Sequence, residues 1–241
     1  MSGPAPTIAA NLERLRDQVA DACARAGRSC SSVALMAVSK MHPTEAILEA
    51  CAAGQRLFGE NRVQEFAAKS SALSSSGPWN LDPDPCIFHL IGPLQNNKTA
   101  KAAELFDAVD TLDSLKTAER LSSAAQTLGK RLEVLVEVKL SPEETKHGLA
   151  PQELPALLAA LAPLPHLDVR GLMTVPPWSE DPETVRPFFQ QLRRLRDENL
   201  AAYPTLTELS MGMSNDFAVA IEEGSTCVRI GTAIFGKRIY S

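Results

Sequence analysis

Lys40 follows the apolar run Val33-Ala34-Leu35-Met36-Ala37-Val38, with only Ser39 between. An ammonium desolvated at the end of such a run has a lowered pKa, and the neutral amine forms a Schiff base with an aldehyde or ketone. The placement also fits a lysine whose stem lies on apolar surface while its head reaches water. Late in the chain, Gly212-Met213-Ser214 before Asn215 and Gly231-Thr232 before Ala233-Ile234-Phe235-Gly236 each offer backbone N–H groups and a hydroxyl at a helix start. Converging amides of that kind bind phosphate. Ordinary strand-to-helix turns with Ser or Thr caps give the same pattern. Arg229 lies inside Cys227-Val228-Arg229-Ile230-Gly231, where burial demands a partner, either a carboxylate across the core or a ligand.

These groups need elements that bring them together. Ile8, Leu12, Leu15, Val19, Ala22 and Ala26 recur at helical spacing, so an N-terminal helix is predicted over about 7–27, starting near Thr7 and stopping at Gly27. Strands are predicted at 33–38, 56–58, 87–91, 108–111, 132–138, 167–173, 207–210 and 227–230. Between and after them come helices at 43–53, 61–73, 96–106, 114–128, 151–162, 182–202 and 215–223, with a short segment at 233–236. Strands alternating with helices imply a parallel sheet with right-handed crossovers. Eight units in 241 residues favour a single closed (β/α)8 TIM barrel over an open doubly wound sheet. The Ser/Pro-rich stretch 70–85 is predicted to be a solvated loop, and the whole chain, 1–241, a single domain.

In such a barrel chemistry sits at the carboxyl ends of the strands. Closure pairs the last strand with the first, about 5 Å away, so Lys40 and Arg229 become neighbours across the seam. A flat ligand with an aldehyde at one edge and a phosphate at another would span strands 1, 8 and 7. Lysine, phosphate cradle and an arginine at the ring nitrogen are the contacts that pyridoxal 5′-phosphate asks of a protein.

Composition narrows the alternatives. Hydrophobic residues are 44% and charged residues 22%, which suits a globular chain and excludes a disordered one. A net charge of −5 provides no basic field for nucleic acid. No apolar run is long enough for a membrane span, and the N-terminus has no secretory pattern. The cysteines (Cys23, Cys30, Cys51, Cys86, Cys227) are odd in number and scattered. They match neither a disulfide framework nor a metal site, so a reduced, cytoplasmic setting is expected.

Several runs resemble the pyridoxal phosphate homeostasis protein family. They are Ala37-Val38-Ser39-Lys40, Phe58-Gly59-Glu60-Asn61-Arg62-Val63-Gln64-Glu65, Phe88-His89-Leu90-Ile91-Gly92-Pro93-Leu94-Gln95, Glu144-Thr145-Lys146-His147-Gly148-Leu149 and Gly171-Leu172-Met173-Thr174. The most specific is LSMGMSNDFAVAIEEGSTCVRIGTAIFG, from Leu209 to Gly236. The resemblance covers nearly the whole chain. Met41-His42-Pro43, Arg62 and Lys139 depart from the family pattern and bear on the pocket rim.

The resemblance implies a barrel like the N-terminal domain of alanine racemase, with pyridoxal 5′-phosphate joined to Lys40 as a Schiff base. It implies Ser214, Gly231 and Thr232 as phosphate ligands and Arg229 as the partner of the pyridine nitrogen. Asn61, His89, Met173, Ser210 and Met211 are implied as pocket-lining positions, and Lys146 as a second lysine near the site. An arginine beside the ring nitrogen disfavours its protonation and weakens the electron sink. A two-base racemase needs an acid–base group on each ring face. The only tyrosines are Tyr203, expected on the outer ring, and Tyr240, in the tail. The expectation is a cofactor carrier that stores pyridoxal 5′-phosphate and hands it to apo-enzymes, a monomer without turnover, metal or nucleic acid. A small amino-acid racemase is the alternative, and a cofactor-free Schiff-base aldolase a third reading.

Overall fold

The computed structural model describes residues 7–76, 84–141, 143 and 147–236, with the backbone alone at 74–76. Eight parallel strands close into a barrel in sequence order: β1 (Ala34–Val38), β2 (Leu57–Glu60), β3 (Ile87–Leu90), β4 (Ala108–Leu112), β5 (Leu132–Glu137), β6 (Leu167–Met173), β7 (Glu208–Ser210) and β8 (Cys227–Ile230). The seam pairs β1 with β8, with Met36 opposite Arg229 and Ala37 opposite Ile230. The expected closed barrel is thus the observed one.

Nine helices are found among the described residues: α1 (Ile8–Arg25), α2 (Thr44–Ala52), α3 (Val63–Ser76), α4 (Thr99–Leu105), α5 (Leu115–Thr127), α6 (Leu154–Leu161), α7 (Arg186–Leu200), α8 (Phe217–Glu222) and α9 (Thr232–Phe235). The extra N-terminal helix starts where its cap predicts, since Thr7 Oγ accepts the Ala10 amide at 3.2 Å. Its apolar stripe, Leu12, Leu15, Val19 and Ala22, is buried, and α1 packs on α8, α9 and α2. Between strands and helices the core is aromatic at one side. Phe66 stacks on Phe88 at 4.6 Å between centroids and meets Phe106 at 4.8 Å, while Phe58 stacks on Phe88 at 5.2 Å.

Several boundaries differ from expectation: α4, α6 and α7 begin three or four residues late, after short 3-10 turns, and three other differences have a clear local cause. Helix α3 runs to Ser76, into the stretch read as loop; residues 77–83 lie outside the described ones. Ser70 and Ser71 donate back to the Ala67 carbonyl at 3.0 and 3.1 Å, and Leu73 is fully buried, so serines that suggested a loop are satisfied within a helix. Helix α8 starts two residues late, because the Met213 amide donates to Asp216 Oδ1 and Met213–Asp216 forms a turn. Strand β2 reaches Glu60, because the Ser39 and Ile91 amides donate to the carbonyls of Gly59 and Glu60.

The barrel interior is polar where hydrophobic layers commonly fill it. His89 Nδ1 meets Asp110 Oδ1 at 2.9 Å, and Arg229 is held inside near Asp110 and Glu137. Scattered in sequence, Cys51 and Cys86 come to 3.0 Å between sulfurs; all five cysteines are free.

Candidate functional site

Lys40, Asn61, Ser214, Arg229, Gly231 and Thr232 line one cavity of about 250 Å³ at the carboxyl end of the barrel. It is smaller than the cavities of about 300–1,000 Å³ that take drug-sized molecules. Its position follows from the fold. Lys40 is two residues past β1, Asn61 is one past β2, and Gly231 is one past β8. The remaining wall is apolar: Val38, Ile91, Val175 and Met213. Among the described residues the wall carries two cationic side chains and no carboxylate, which suits an anionic ligand.

Arg229 has the firmest seat. It is buried, and its Nη1 donates to Ser210 Oγ at 2.7 Å while Nη2 donates to the Thr174 carbonyl at 2.8 Å. Both acceptors are neutral, so the carboxylate partner weighed from sequence is not the group it bonds. Burial pulls the guanidinium below its usual pKa, opposed by Cys227, Asp110, Glu137 and Asp216. Burial likewise pushes the Cys227 thiol up to about 12.

The two glycine loops supply amides. Gly231 and Thr232 open α9, and the first N–H groups of a helix have no acceptor within it. Ser214 sits in the turn before α8. That turn requires Gly212, whose φ is +97° and where an added Cβ would lie 2.6 Å from the Ala220 Cβ. Asn61 Oδ1 is buried without a hydrogen-bond partner, a polar atom that a ligand in the cavity would satisfy.

The other four expected pocket residues sit behind the cavity wall or in the core. His89 turns to Asp110; burial alone would lower its pKa, but the Asp110 carboxylate outweighs this and raises it. Ser210 serves the site indirectly, as the acceptor for Arg229. Met173 is fully buried at the end of β6, and Met211 belongs to the hydrophobic core. None of these four lines the cavity. Tyr203 is half-buried after α7 and packs on the core. Lys146 and Tyr240 lie outside the described residues. Val175 and Met213 line the cavity and Thr174 holds Arg229, although none of the three is a sequence-predicted site residue; Thr174 and Val175 follow β6, and Met213 lies in the turn after β7. Among the described residues, no group of His, Cys, Asp and Glu could hold a metal ion.

The family model described as alanine racemase, N-terminal domain, matches residues 10–239. A pyridoxal phosphate homeostasis protein of Vibrio cholerae is 46% identical over 235 residues, 98% of each chain. PipY of Synechococcus elongatus, solved with pyridoxal phosphate bound, superposes with a TM-score of 0.83 at 42% identity. That match covers 95% of this chain and 100% of PipY. Alanine racemase of Clostridium difficile, 15% identical, shares the fold with a TM-score of 0.65, over 94% of this chain and 60% of its own. The chain therefore belongs to the alanine racemase N-terminal domain family and, within it, to the pyridoxal phosphate homeostasis proteins.

Proposed function

We propose that this protein binds pyridoxal 5′-phosphate and serves its homeostasis, holding the cofactor reversibly on Lys40 without turning over a substrate. The observation that carries this reading is the cavity wall, which brings together Lys40, Arg229, Ser214, Gly231 and Thr232, with no carboxylate among the described lining residues. The residues present fit the group. The helix-start amides and the Ser214 and Thr232 hydroxyls match a phosphate. The Lys40 amine matches an aldehyde, and Asn61 Oδ1 is a buried acceptor in need of a donor.

When bound, the cofactor supplies an aldehyde and an electron-withdrawing ring. The rest belongs to the chain's own residues. Lys40 provides the nucleophilic nitrogen. Arg229, fixed by Ser210 and Thr174, presents positive charge and disfavours protonation of a ring nitrogen facing it. The described residues lining the cavity include no histidine, tyrosine or carboxylate, which supports a carrier over a two-base racemase. In this reading the barrel works as one domain and a monomer, in the cytoplasm, and its recipients are cofactor-dependent apo-enzymes. Among the described residues no helix is long and apolar enough to cross a membrane.

Titration with pyridoxal 5′-phosphate should raise a new absorption band above that of the free aldehyde, absent in Lys40→Ala. Pyridoxal, lacking the phosphate, should bind at least about tenfold more weakly, since losing charge-assisted hydrogen bonds of about 1.5–3 kcal/mol each costs that much or more. Chiral analysis of alanine or serine after incubation with the loaded protein should show no racemisation. Turnover at ordinary enzymatic rates would overturn the carrier reading in favour of the racemase.

A further inference from the structure

Lys40 stands between two peptide units that helix α3 grips from one side. Lys69 Nζ donates to the Ser39 carbonyl at 2.9 Å. The same ammonium pairs with Glu60 Oε1 at 2.9 Å and Glu65 Oε1 at 2.8 Å. Glu65 Oε1 in turn accepts the Met41 amide, and Ser39 Oγ donates to Glu60 at 2.8 Å. The residues before and after Lys40 are thus each tied through the backbone, by two side chains one helical turn apart.

The backbone at this point needs such a grip. Met41 has φ +61°, the one non-glycine residue with positive φ among those described. That region costs a side-chain-bearing residue about 1–2 kcal/mol and persists only where its surroundings enforce it. Met41 is 50% exposed, so its own packing does little to enforce it. Hydrogen bonding does: the His42 amide closes the turn onto the Ser39 carbonyl at 3.1 Å, and Glu65 holds the Met41 amide. The His42 ring also rests against Phe235, at 4.9 Å between centroids.

The grip is made of groups that are costly to bury. The Lys69 side chain is only 10% exposed and that of Glu60 is fully buried. Burial pushes the Glu60 carboxyl up despite Lys69 and Ser39. Burial also pushes Glu65 up, but the Lys69 ammonium and the Met41 amide outweigh it and hold that carboxyl below its usual range. Glu65 is therefore ionised at neutral pH, as an acceptor for a backbone amide should be.

We infer that Glu65 and Lys69 are positioning residues for Lys40: by fixing the Ser39 carbonyl and the Met41 amide, they set the angle at which the Lys40 amine enters the cavity. This rests on the reading of Lys40 as the attachment point. Attachment joins the Lys40 nitrogen to the aldehyde carbon, and both amine protons leave with the aldehyde oxygen as water. The rate of that step depends on the approach of the amine, whereas anchoring of ring and phosphate does not.

Two probes on the full chain separate these contributions: pyridoxal 5′-phosphate, and its 4′-deoxy analogue, which has the same ring and phosphate but no aldehyde. In Glu65→Ala, borohydride-trappable attachment at Lys40 should slow about tenfold, with analogue affinity unchanged within about twofold. Glu65→Gln, whose amide oxygen still accepts from Met41, should recover most of the rate. Should Glu65→Ala not fold, Lys69→Met, which keeps an apolar stem but removes the donor to the Ser39 carbonyl, takes its place with the same expected split. Attachment at the unsubstituted rate, or an equal loss for both probes, overturns the inference. Absence of attachment in the unsubstituted chain overturns the reading of Lys40 itself, and is seen before any variant is compared.

Discussion

Arg229 Nη1 lies 2.7 Å from Ser210 Oγ, so the cation at the barrel seam is oriented by a hydroxyl on the neighbouring strand rather than by a carboxylate. Ser210→Ala leaves that buried N–H without its acceptor. We expect a stability loss of about 1–3 kcal/mol by urea denaturation, together with weaker binding of pyridoxal 5′-phosphate. Ser210→Thr, which keeps the hydroxyl, should retain most of the binding.

The turn that presents Ser214 depends on Gly212. Substitution there meets both a positive φ and an Ala220 Cβ at 2.6 Å, whereas Gly236, with φ +83°, has open space around it. Gly212→Ala should therefore cost about 1–3 kcal/mol more than Gly236→Ala in the same denaturation experiment, the excess being overpacking. Equal losses would show that the turn relaxes freely.

Met41 holds its strained conformation while half exposed, with little packing to offset the strain. Met41→Gly should stabilise the protein by up to about 1 kcal/mol, because glycine adopts this φ without strain but loses more chain entropy on folding. A destabilisation of more than about 1 kcal/mol would mean that the methionine side chain carries packing its exposure does not suggest.

The pair of His89 and Asp110 makes stability pH-dependent. The folded pKa of His89 is raised above its unfolded value of about 6.5. Its contribution is complete below that value and is lost as pH rises through the raised one. Thermal midpoints should fall over this range, and His89→Gln should flatten that fall. An unsubstituted protein with a level profile there would contradict the assignment.

Much of this site was legible in the chain because the barrel rule is strict: residues just past the strands face one rim, and closure makes the first and last strands neighbours. That logic reaches Lys40, Ser214, Gly231 and Thr232, and the seam adds Arg229 from within β8; with Asn61, which the family resemblance implies, they line one cavity. It does not reach the other residues within or just after the strands, where register decides direction. Met211, next to inward-facing Ser210, turns to the hydrophobic core, as alternation requires. His89 finds a partner in Asp110 that only the pairing of β3 with β4 provides. Glu65 and Lys69 went unread because a charged pair four residues apart on a helix resembles any solvated face. Only the packing of α3 against the end of β1 gives them their role.

The most direct test of the central claim is reductive trapping followed by peptide mapping. Protein incubated with pyridoxal 5′-phosphate, treated with borohydride and digested should carry the pyridoxyl mass on the peptide containing Lys40, and Lys40→Ala should carry none there. Label spread evenly over surface lysines, or absent from the Lys40 peptide, would contradict the account.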